Sequence, residues 1–143
     1  MRIIQSFENQ SIPKFQIIIS GPLPQVYGKH TFEAGVDTGF TGFLSIPFLS
    51  AVKAGLIFGG AISLTLADGK SQSFLYCLGL AEAGTKSAIG IVVISPSDDI
   101  LLGMEFLRLL GLRLIVDPIS KTAILTDEDP PIQPPGQAPG SPN

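Results

Sequence analysis

Apolar residues alternate with polar or small residues along most of the chain, a pattern that predicts β-strands rather than long helices. FQIIIS (15–20) is a short run of aromatic and β-branched residues that ends at Gly21-Pro22, and we expect it to be a buried strand. The same reasoning predicts strands at 30–36, 42–46, 88–95, 100–102, 112–118 and 121–126. The chain is therefore predicted to be a β domain of seven or eight short strands.

Two short segments have helical rather than alternating spacing. The segment 47–55 begins with a proline, which suits a first helical turn, and ends with a glycine, which suits a C-terminal stop. Residues 104–110 place Met104 and Leu107 on one face, and Gly111 follows as the expected stop. We therefore expect one or two short helices beside the strands.

The clearest local prediction is a β-hairpin within residues 61–80. Apolar residues alternate with small or polar ones on both sides of Asp68-Gly69, a dipeptide typical of tight hairpin turns. A second turn is expected at 83–86, before the strand at 88–95. These two turns predict three consecutive antiparallel strands.

Length and composition indicate one folded domain and a tail. The chain has 143 residues, which suits a single domain. Residues 127–143 hold six of the twelve prolines and one large aliphatic residue, Ile132. Such a segment cannot bury enough apolar surface to offset the entropy lost on ordering. We therefore expect a folded domain at 1–126 and a disordered proline-rich tail at 127–143.

Composition also argues against several classes of function. The net charge is −3 without a basic patch, so we expect no nucleic-acid partner. No apolar run approaches the roughly 20 residues of a membrane span, and MRIIQSFENQ lacks the features of a secretory signal. We therefore expect a cytoplasmic protein without membrane contact. One His and one Cys make a zinc site improbable, and we expect no metal and no cofactor.

Asp37 is the residue that the pattern explains least, because it lies between two apolar runs in EAGVDTGFTGFLSIP (33–47). One interpretation is an Asx-type turn in which Asp-Thr-Gly merely ends a strand. The apolar flanks weigh against it, since they place the carboxylate at the core boundary, where it needs hydrogen-bond donors. A second apolar element followed by glycine, Leu101-Leu102-Gly103, occurs downstream and leads into a helix.

Together and in this order, these strings resemble the retropepsin-like aspartic proteases, and most closely the bacterial type. The matching elements are VDTG (36–39), ILLG with the helix after it (100–110), and a hairpin turn in the flap position formed by Leu66, Ala67, Asp68 and Gly69. The resemblance covers residues 13–126. It implies an all-β fold, a closed barrel or sandwich equivalent to half of a pepsin-type protein, with its active site at a homodimer interface.

The resemblance also implies roles for particular residues. Asp37 would be the catalytic residue, Thr38 would hydrogen-bond across the dimer axis, and Gly39 would permit the turn. Leu101, Leu102 and Gly103 would pack behind the catalytic loop, and the hairpin at 66–69 would close over a peptide or protein substrate. The chain contains one Asp-Thr-Gly, so an active member of this family needs a second copy of Asp37 from a homodimer. A partner would also cover part of an apolar surface suggested by the mean hydropathy of +0.41.

Several points leave the function open at this stage. Phe40 stands where viral members of the family have a small residue, and we expect its ring to point into the core. The strand at 121–126 could join a sheet between subunits. One alternative is a non-catalytic module that keeps the protease fold for dimerisation or peptide binding, and another is an unrelated small β-barrel in which Asp-Thr-Gly is only a turn.

Overall fold

Ten strands and three short helices follow one another along residues 1–129, the part of the chain that the computed structural model describes. The strands are β1 (Arg2–Ser6), β2 (Lys14–Ser20), β3 (His30–Val36), β4 (Leu44–Pro47), β5 (Ile57–Thr65), β6 (Ser71–Ala83), β7 (Lys86–Ser95), β8 (Leu101–Leu102), β9 (Arg113–Asp117) and β10 (Thr122–Thr126). The helices are α1 (Pro24–Tyr27), α2 (Phe48–Ala54) and α3 (Met104–Leu110). The predicted all-β class is confirmed, and α1 is a third helix that the pattern did not predict.

Seven strands form one sheet that closes on itself. Their order is β2-β3-β8-β4-β7-β6-β5, and a further pairing of β2 with β6 joins the two sides of the sheet. That pairing sets Ile18 opposite Glu82 and Ser20 opposite Leu80. The result is the predicted closed barrel, while β5 lies outside the closure as a strand paired only with β6.

The core fills the barrel between β2, β4, β7, β8 and α3. Phe15, Ile17 and Ile19 of β2 are buried on the same face of their strand, as period-2 alternation requires. Phe43 and Phe106 pack with ring centroids 5.4 Å apart. On α3 the buried residues are Phe106, Leu107 and Leu110. Met104 was expected on the same face as Leu107, but its side chain is 45% exposed.

Both predicted helix stops are confirmed. Gly55 and Gly111 follow α2 and α3 with φ of 70° and 67°, the left-handed conformation that ends a helix without steric cost for glycine. No helix within residues 1–129 is long and apolar enough to cross a membrane.

The hairpin predicted within 61–80 is present and longer than expected. β5 begins at Ile57 and β6 continues to Ala83. The turn is not a two-residue Asp68-Gly69 loop. The amide of Leu66 donates to the carbonyl of Lys70 at 2.8 Å, so the loop between these two residues has three members, 67–69. Gly69 takes φ of 83°, as expected for a three-residue loop that ends in a left-handed residue.

A separate three-stranded sheet, in the order β1-β10-β9, joins the two ends of the described chain. Strand β1 was not predicted, and it pairs with β10 from Arg2↔Thr126 to Ser6↔Thr122. Since β9 occupies the other edge of β10, β10 offers no open edge to a partner. An intersubunit sheet that includes 121–126 would therefore have to extend from β1 or β9 rather than from β10 itself.

The first residues of the predicted tail make specific contacts. Asp127 lies 2.7 Å from the amino group of Met1 and 3.3 Å from Nζ of Lys86, and Arg113 donates to Asp129 at 2.9 Å. Through these contacts Asp127 and Asp129 lie against the folded part of the chain. The remainder of the predicted tail, 130–143, lies outside the described residues.

Candidate active site

Asp37 lies directly after β3, where that strand runs parallel to β8. Gly35 and Val36 pair with Leu101 and Leu102, and the amide of Asp37 donates to the carbonyl of Leu102 at 3.0 Å. The two strings singled out from the sequence are therefore hydrogen-bonded neighbours. This bond fixes the backbone from which the Asp37 side chain extends.

The loop after Asp37 crosses from β3 to β4, and β8 lies between these strands because it pairs with both. The loop carbonyls accept hydrogen bonds from the start of α3. Gly103 donates to Phe43 at 3.0 Å, Met104 to Phe40 at 2.9 Å and Glu105 to Gly42 at 3.1 Å. The first amides of a helix have no partner within the helix, so the loop satisfies them while α3 holds the loop in place.

The close approach of the loop carbonyls to the start of α3 requires glycine at position 103. A Cβ at this position would lie 2.6 Å from the carbonyl oxygen of Phe40 and closer still to that of Gly42. Contacts this short force the backbone to shift. Leu102 and Gly103 thus lie against the backbone of the loop, and Leu101 pairs with Gly35 of β3.

The Asp37 carboxylate is half-buried and is held by its own loop. The amide of Gly39 donates to Oδ1 at 3.0 Å, and the amide of Phe40 donates to the backbone carbonyl of Asp37 at 3.1 Å. Within residues 1–129, no other donor contacts this carboxylate. The geometry is that of an Asx turn, and it leaves the second oxygen available to water or to a partner.

Thr38 lies beside Asp37 and is exposed. It lines a shallow depression of about 430 Å³ at the start of α3 and β9. The other residues around it are Met104, Leu107, Arg108, Leu112, Arg113 and Leu114. Its surroundings place Thr38 on an open surface that a second subunit could contact.

A second cavity, of about 260 Å³, adjoins the loop on the side of the hairpin. It lies between residues 40–43, Ile62 and Leu64 of β5, and Glu105 and Leu109 of α3, with Gly90, Ile91 and Val93 of β7 completing the wall. We call it the loop cavity. Glu105 is the single ionisable residue that lines it.

The predicted flap residues are separated from this cavity. Leu66, Ala67, Asp68 and Gly69 are exposed at the tip of the hairpin, and the cavity is lined instead by Ile62 and Leu64 from the middle of β5. Alternation along β5 groups these two residues on one face, but it does not say what that face covers.

Phe40 does not point into the core as expected. Its side chain is half-buried, lines the loop cavity, and lies against the backbone of Gly42, where a Cβ would be 2.5 Å from the ring Cζ. The glycine two residues after Phe40 therefore makes room for the ring. Phe40 narrows the cavity rather than filling the core.

An ion pair lies at the edge of the loop cavity. Arg108 donates through Nε to Glu105 Oε2 at 2.8 Å, and a second bond joins Nη2 to Oε1. The hydrogen bond from Arg108 lowers the pKa of Glu105, so this carboxylate is held in its charged form. Residues 1–129 contain no cluster of three or more His, Cys, Asp or Glu side chains placed to hold a metal ion.

Comparison with known proteins gives a match in fold. The chain is similar to the crystal structure of a retropepsin-like aspartic protease from Rickettsia conorii, with a TM-score of 0.54 and 18% sequence identity. The match covers 87% of this chain and 90% of that chain. No family model and no curated protein sequence matches.

The comparison identifies the fold as retropepsin-like, which confirms the predicted fold class. At 18% identity the likeness concerns the fold and not the chemistry. It does contradict the alternative of a small β-barrel with a different fold. The catalytic and the non-catalytic interpretations both remain compatible with this fold.

Proposed function

We propose that the protein is an aspartic endopeptidase that works as a homodimer, with Asp37 of each subunit in one shared active site. The observation that carries this proposal is the position of Asp37. Its half-buried carboxylate projects from a loop braced by β8 and α3, within a fold similar to that of a retropepsin-like aspartic protease.

In the proposed mechanism the two carboxylates share one proton. Two like charges a few ångströms apart cannot both ionise, so the pair titrates as a unit with one raised apparent pKa. The ionised Asp37 takes a proton from a water, whose oxygen bonds to the carbonyl carbon of the peptide. The protonated Asp37 gives its proton to the carbonyl oxygen. The Asp37 that took the water proton then gives it to the nitrogen as the C–N bond breaks, while a hydroxyl of the intermediate returns its proton to the other Asp37 and becomes the carbonyl of the new acid. No covalent enzyme intermediate forms.

The dimer is part of the proposal because a single carboxylate cannot serve as both acid and base in the same step. One Asp-Thr-Gly occurs in the chain, and a two-fold axis beside Thr38 would bring two copies of Asp37 together. The exposed Thr38 and the depression beside it, where Met104 is 45% exposed, suit such a contact. Since both edges of β10 are filled within the subunit, we expect the contact to use the loop, α3 and the edge strands.

The loop cavity indicates what the enzyme would accept. Phe40, Ile62, Leu64 and Val93 give it an apolar lining beside the loop that follows Asp37. A peptide lying between Asp37 and the hairpin would place an apolar side chain there, which excludes water from the reacting bond. Closure of the β5–β6 hairpin over the peptide would complete the site.

The proposal is tested by peptide cleavage with Asp37→Asn and a matched control. Glu33 is exposed on β3, four residues before Asp37, so Glu33→Gln removes a comparable charge away from the site. We expect Asp37→Asn to abolish cleavage of a mixed peptide library and to leave the dimer intact in sedimentation, while Glu33→Gln cleaves as the wild type does. Unchanged cleavage by Asp37→Asn would contradict the proposal. Peptide binding without cleavage by the wild type would favour the non-catalytic alternative.

A further inference from the structure

The hairpin of β5 and β6 loses its third strand at Tyr76. This residue pairs with Gly60 of β5 on one side and with Val93 of β7 on the other. Beyond Val93, β7 pairs with β4 instead. Within the described chain, the part of the hairpin past this point, residues 61–75, has no third strand paired with it, and none of its side chains is buried. We call it the outer hairpin.

A β-bulge lies at the same level of the hairpin. The pairing of β5 with β6 passes from Phe58↔Cys77 to Gly60↔Tyr76, so Gly59 has no partner on β6. Gly60 takes φ of 142°, which a residue with a Cβ adopts only with strain. A bulge interrupts the ladder of hydrogen bonds and bends its strand. The hairpin is therefore least constrained at the position where its third strand ends.

The half-buried ring of Tyr76 lies against this bulge. A Cβ on Gly59 would be 2.5 Å from Cε2 and 2.8 Å from Cζ of the ring, so glycine at this position lets the ring rest on the backbone of β5. Tyr76 itself belongs to the three-stranded part of the sheet through its pairing with Val93. The ring therefore joins the fixed part of the sheet to the strand that enters the outer hairpin.

The other glycines of the hairpin do not combine these features. Gly69, at the tip, takes φ of 83°, and nothing lies within 4 Å of the position of a Cβ, so it serves the turn alone. Gly79 lies in the three-stranded part, where a Cβ would be 3.1 Å from Val92 and 3.2 Å from Leu56. The bulge is thus the one place in this hairpin where a strained backbone and a covering aromatic ring coincide.

The outer hairpin forms one wall of the loop cavity. Ile62 and Leu64 line that cavity from β5, and Val93 lines it from β7. Directly paired residues have their side chains on the same face of a sheet. Ile62 pairs with Phe74, two residues before Tyr76 on β6, so the face that carries the Tyr76 ring also faces the cavity. A rotation about the bulge moves Ile62 and Leu64 relative to Val93 and changes the width of the cavity.

We propose that Gly59-Gly60 is the hinge on which the outer hairpin closes over the loop cavity, and that Tyr76 is a positioning residue that holds the closed angle. Residues 60–65 extend about 17 Å from the hinge at the rise of an extended strand. A small rotation at the bulge therefore becomes a movement of several ångströms at the tip. The inference rests on the proposed function in one respect, namely that a peptide is the molecule over which the hairpin closes.

The angle of the outer hairpin is measured as the distance between two spin labels in the full chain, on Ala67→Cys at the tip and on Thr31→Cys, an exposed position of β3. The native Cys77 is buried, and burial raises the pKa of its thiol, so the labels react with the introduced cysteines. An excess of unlabelled chain keeps both labels within one subunit. We expect one narrow distribution of distances with Tyr76 and with Tyr76→Phe, which keeps the ring. With Tyr76→Ala the distribution should be about twice as broad or broader.

Gly60→Ala tests the hinge without removing the ring. Alanine adopts the φ of Gly60 only with strain, so the bulge must change and the mean distance between the labels should shift. Tyr27→Ala removes the chain's other tyrosine, which is 50% exposed on α1, and should leave the mean and the width unchanged. The proposal is overturned by an unchanged width in Tyr76→Ala, by an unchanged mean in Gly60→Ala, or by an equal effect of Tyr27→Ala.

Peptide binding tests whether the hinge serves the candidate active site. It is measured in chains that also carry Asp37→Asn, with the tightest-binding peptide of a mixed library, so the result does not depend on cleavage. Tyr76→Ala should weaken binding by about tenfold, because the closed state then makes up about a tenth of the molecules, and Tyr76→Phe should bind as Tyr76 does. Equal binding by Tyr76→Ala would overturn the positioning role. If the wild type binds peptide in this way but never cleaves it, the proposed function fails and the hinge is still supported.

Discussion

The amide of Asp37 donates a 3.0 Å hydrogen bond to the carbonyl oxygen of Leu102. This bond ties the candidate catalytic loop to β8, a two-residue strand whose parallel pairing with β3 aligns Val36 with Leu102. The backbone at Asp37 is thus positioned by a contact between distant segments, while the amide of Gly39 in the loop holds the carboxylate. Rigid support of this kind is what a site needs if two such carboxylates are to meet with the right geometry.

Gly103→Ala tests the support behind the loop. The added methyl group would overlap the carbonyl oxygens of Phe40 and Gly42, and forcing extra volume into a packed site costs about 1–3 kcal/mol. We expect the free energy of unfolding, measured in urea, to fall by about that amount. Thr41→Ala, at an exposed position of the same loop, should leave stability almost unchanged. Equal stability of Gly103→Ala and the wild type would show that the loop does not depend on this close approach.

Phe40→Ala tests the wall of the loop cavity and rests on the proposed protease activity. Removing the ring enlarges the space beside Asp37. Substrates with large aromatic residues should gain in kcat/KM relative to those with small aliphatic ones, by about tenfold or more. Phe48→Ala removes a ring that is 49% exposed on α2 and contacts Phe58 instead, and it should leave the ratio unchanged. An unaltered preference in Phe40→Ala would exclude Phe40 as a determinant of specificity.

The ion pair between Glu105 and Arg108 predicts a pH dependence of stability. The hydrogen bond from Arg108 lowers the pKa of Glu105 in the folded chain. A lowered pKa stabilises the folded state above the unfolded pKa of the carboxyl group, and the effect is lost as the pH falls through the folded pKa. Arg108→Met should therefore lower the Tm near neutral pH and converge with the wild type in acid. A difference that is the same at every pH would contradict this assignment.

Local patterns were sufficient to predict the features that depend on neighbouring residues. The hairpin around Asp68-Gly69, the helix stops at Gly55 and Gly111, and the unusual setting of Asp37 all follow from short stretches of sequence. The resemblance to retropepsin-like proteases then predicted a fold that the comparison confirms. Elements that depend on distant residues were harder to predict from the sequence. Strand β1, for example, gains its stability from pairing with β10 at the far end of the domain.

The direction of individual side chains was the second feature that the sequence did not predict. Alternation grouped Ile62 with Leu64 but could not say that they cover residues 40–43. Phe40 was expected in the core, yet the close approach of its ring to Gly42 holds it at the cavity wall. Helix α1 spans only Pro24–Tyr27, which is too short for its spacing to be distinguished from a turn. The first of these features depends on tertiary contacts, and the other two depend on local geometry that hydrophobic spacing does not reveal.

The central claim is that one active site uses Asp37 from two chains, and it is tested most directly by mixing subunits. Wild-type chains are unfolded and refolded together with an equal amount of Asp37→Asn chains, and peptide cleavage is measured per wild-type chain. Random pairing places about half of the wild-type chains beside a variant partner, so the shared-site account predicts that cleavage per wild-type chain falls by about half. Refolding with Glu33→Gln chains should cause no loss. Activity that stays proportional to the amount of wild-type chain would contradict the account, since each chain would then work with its own carboxylate alone.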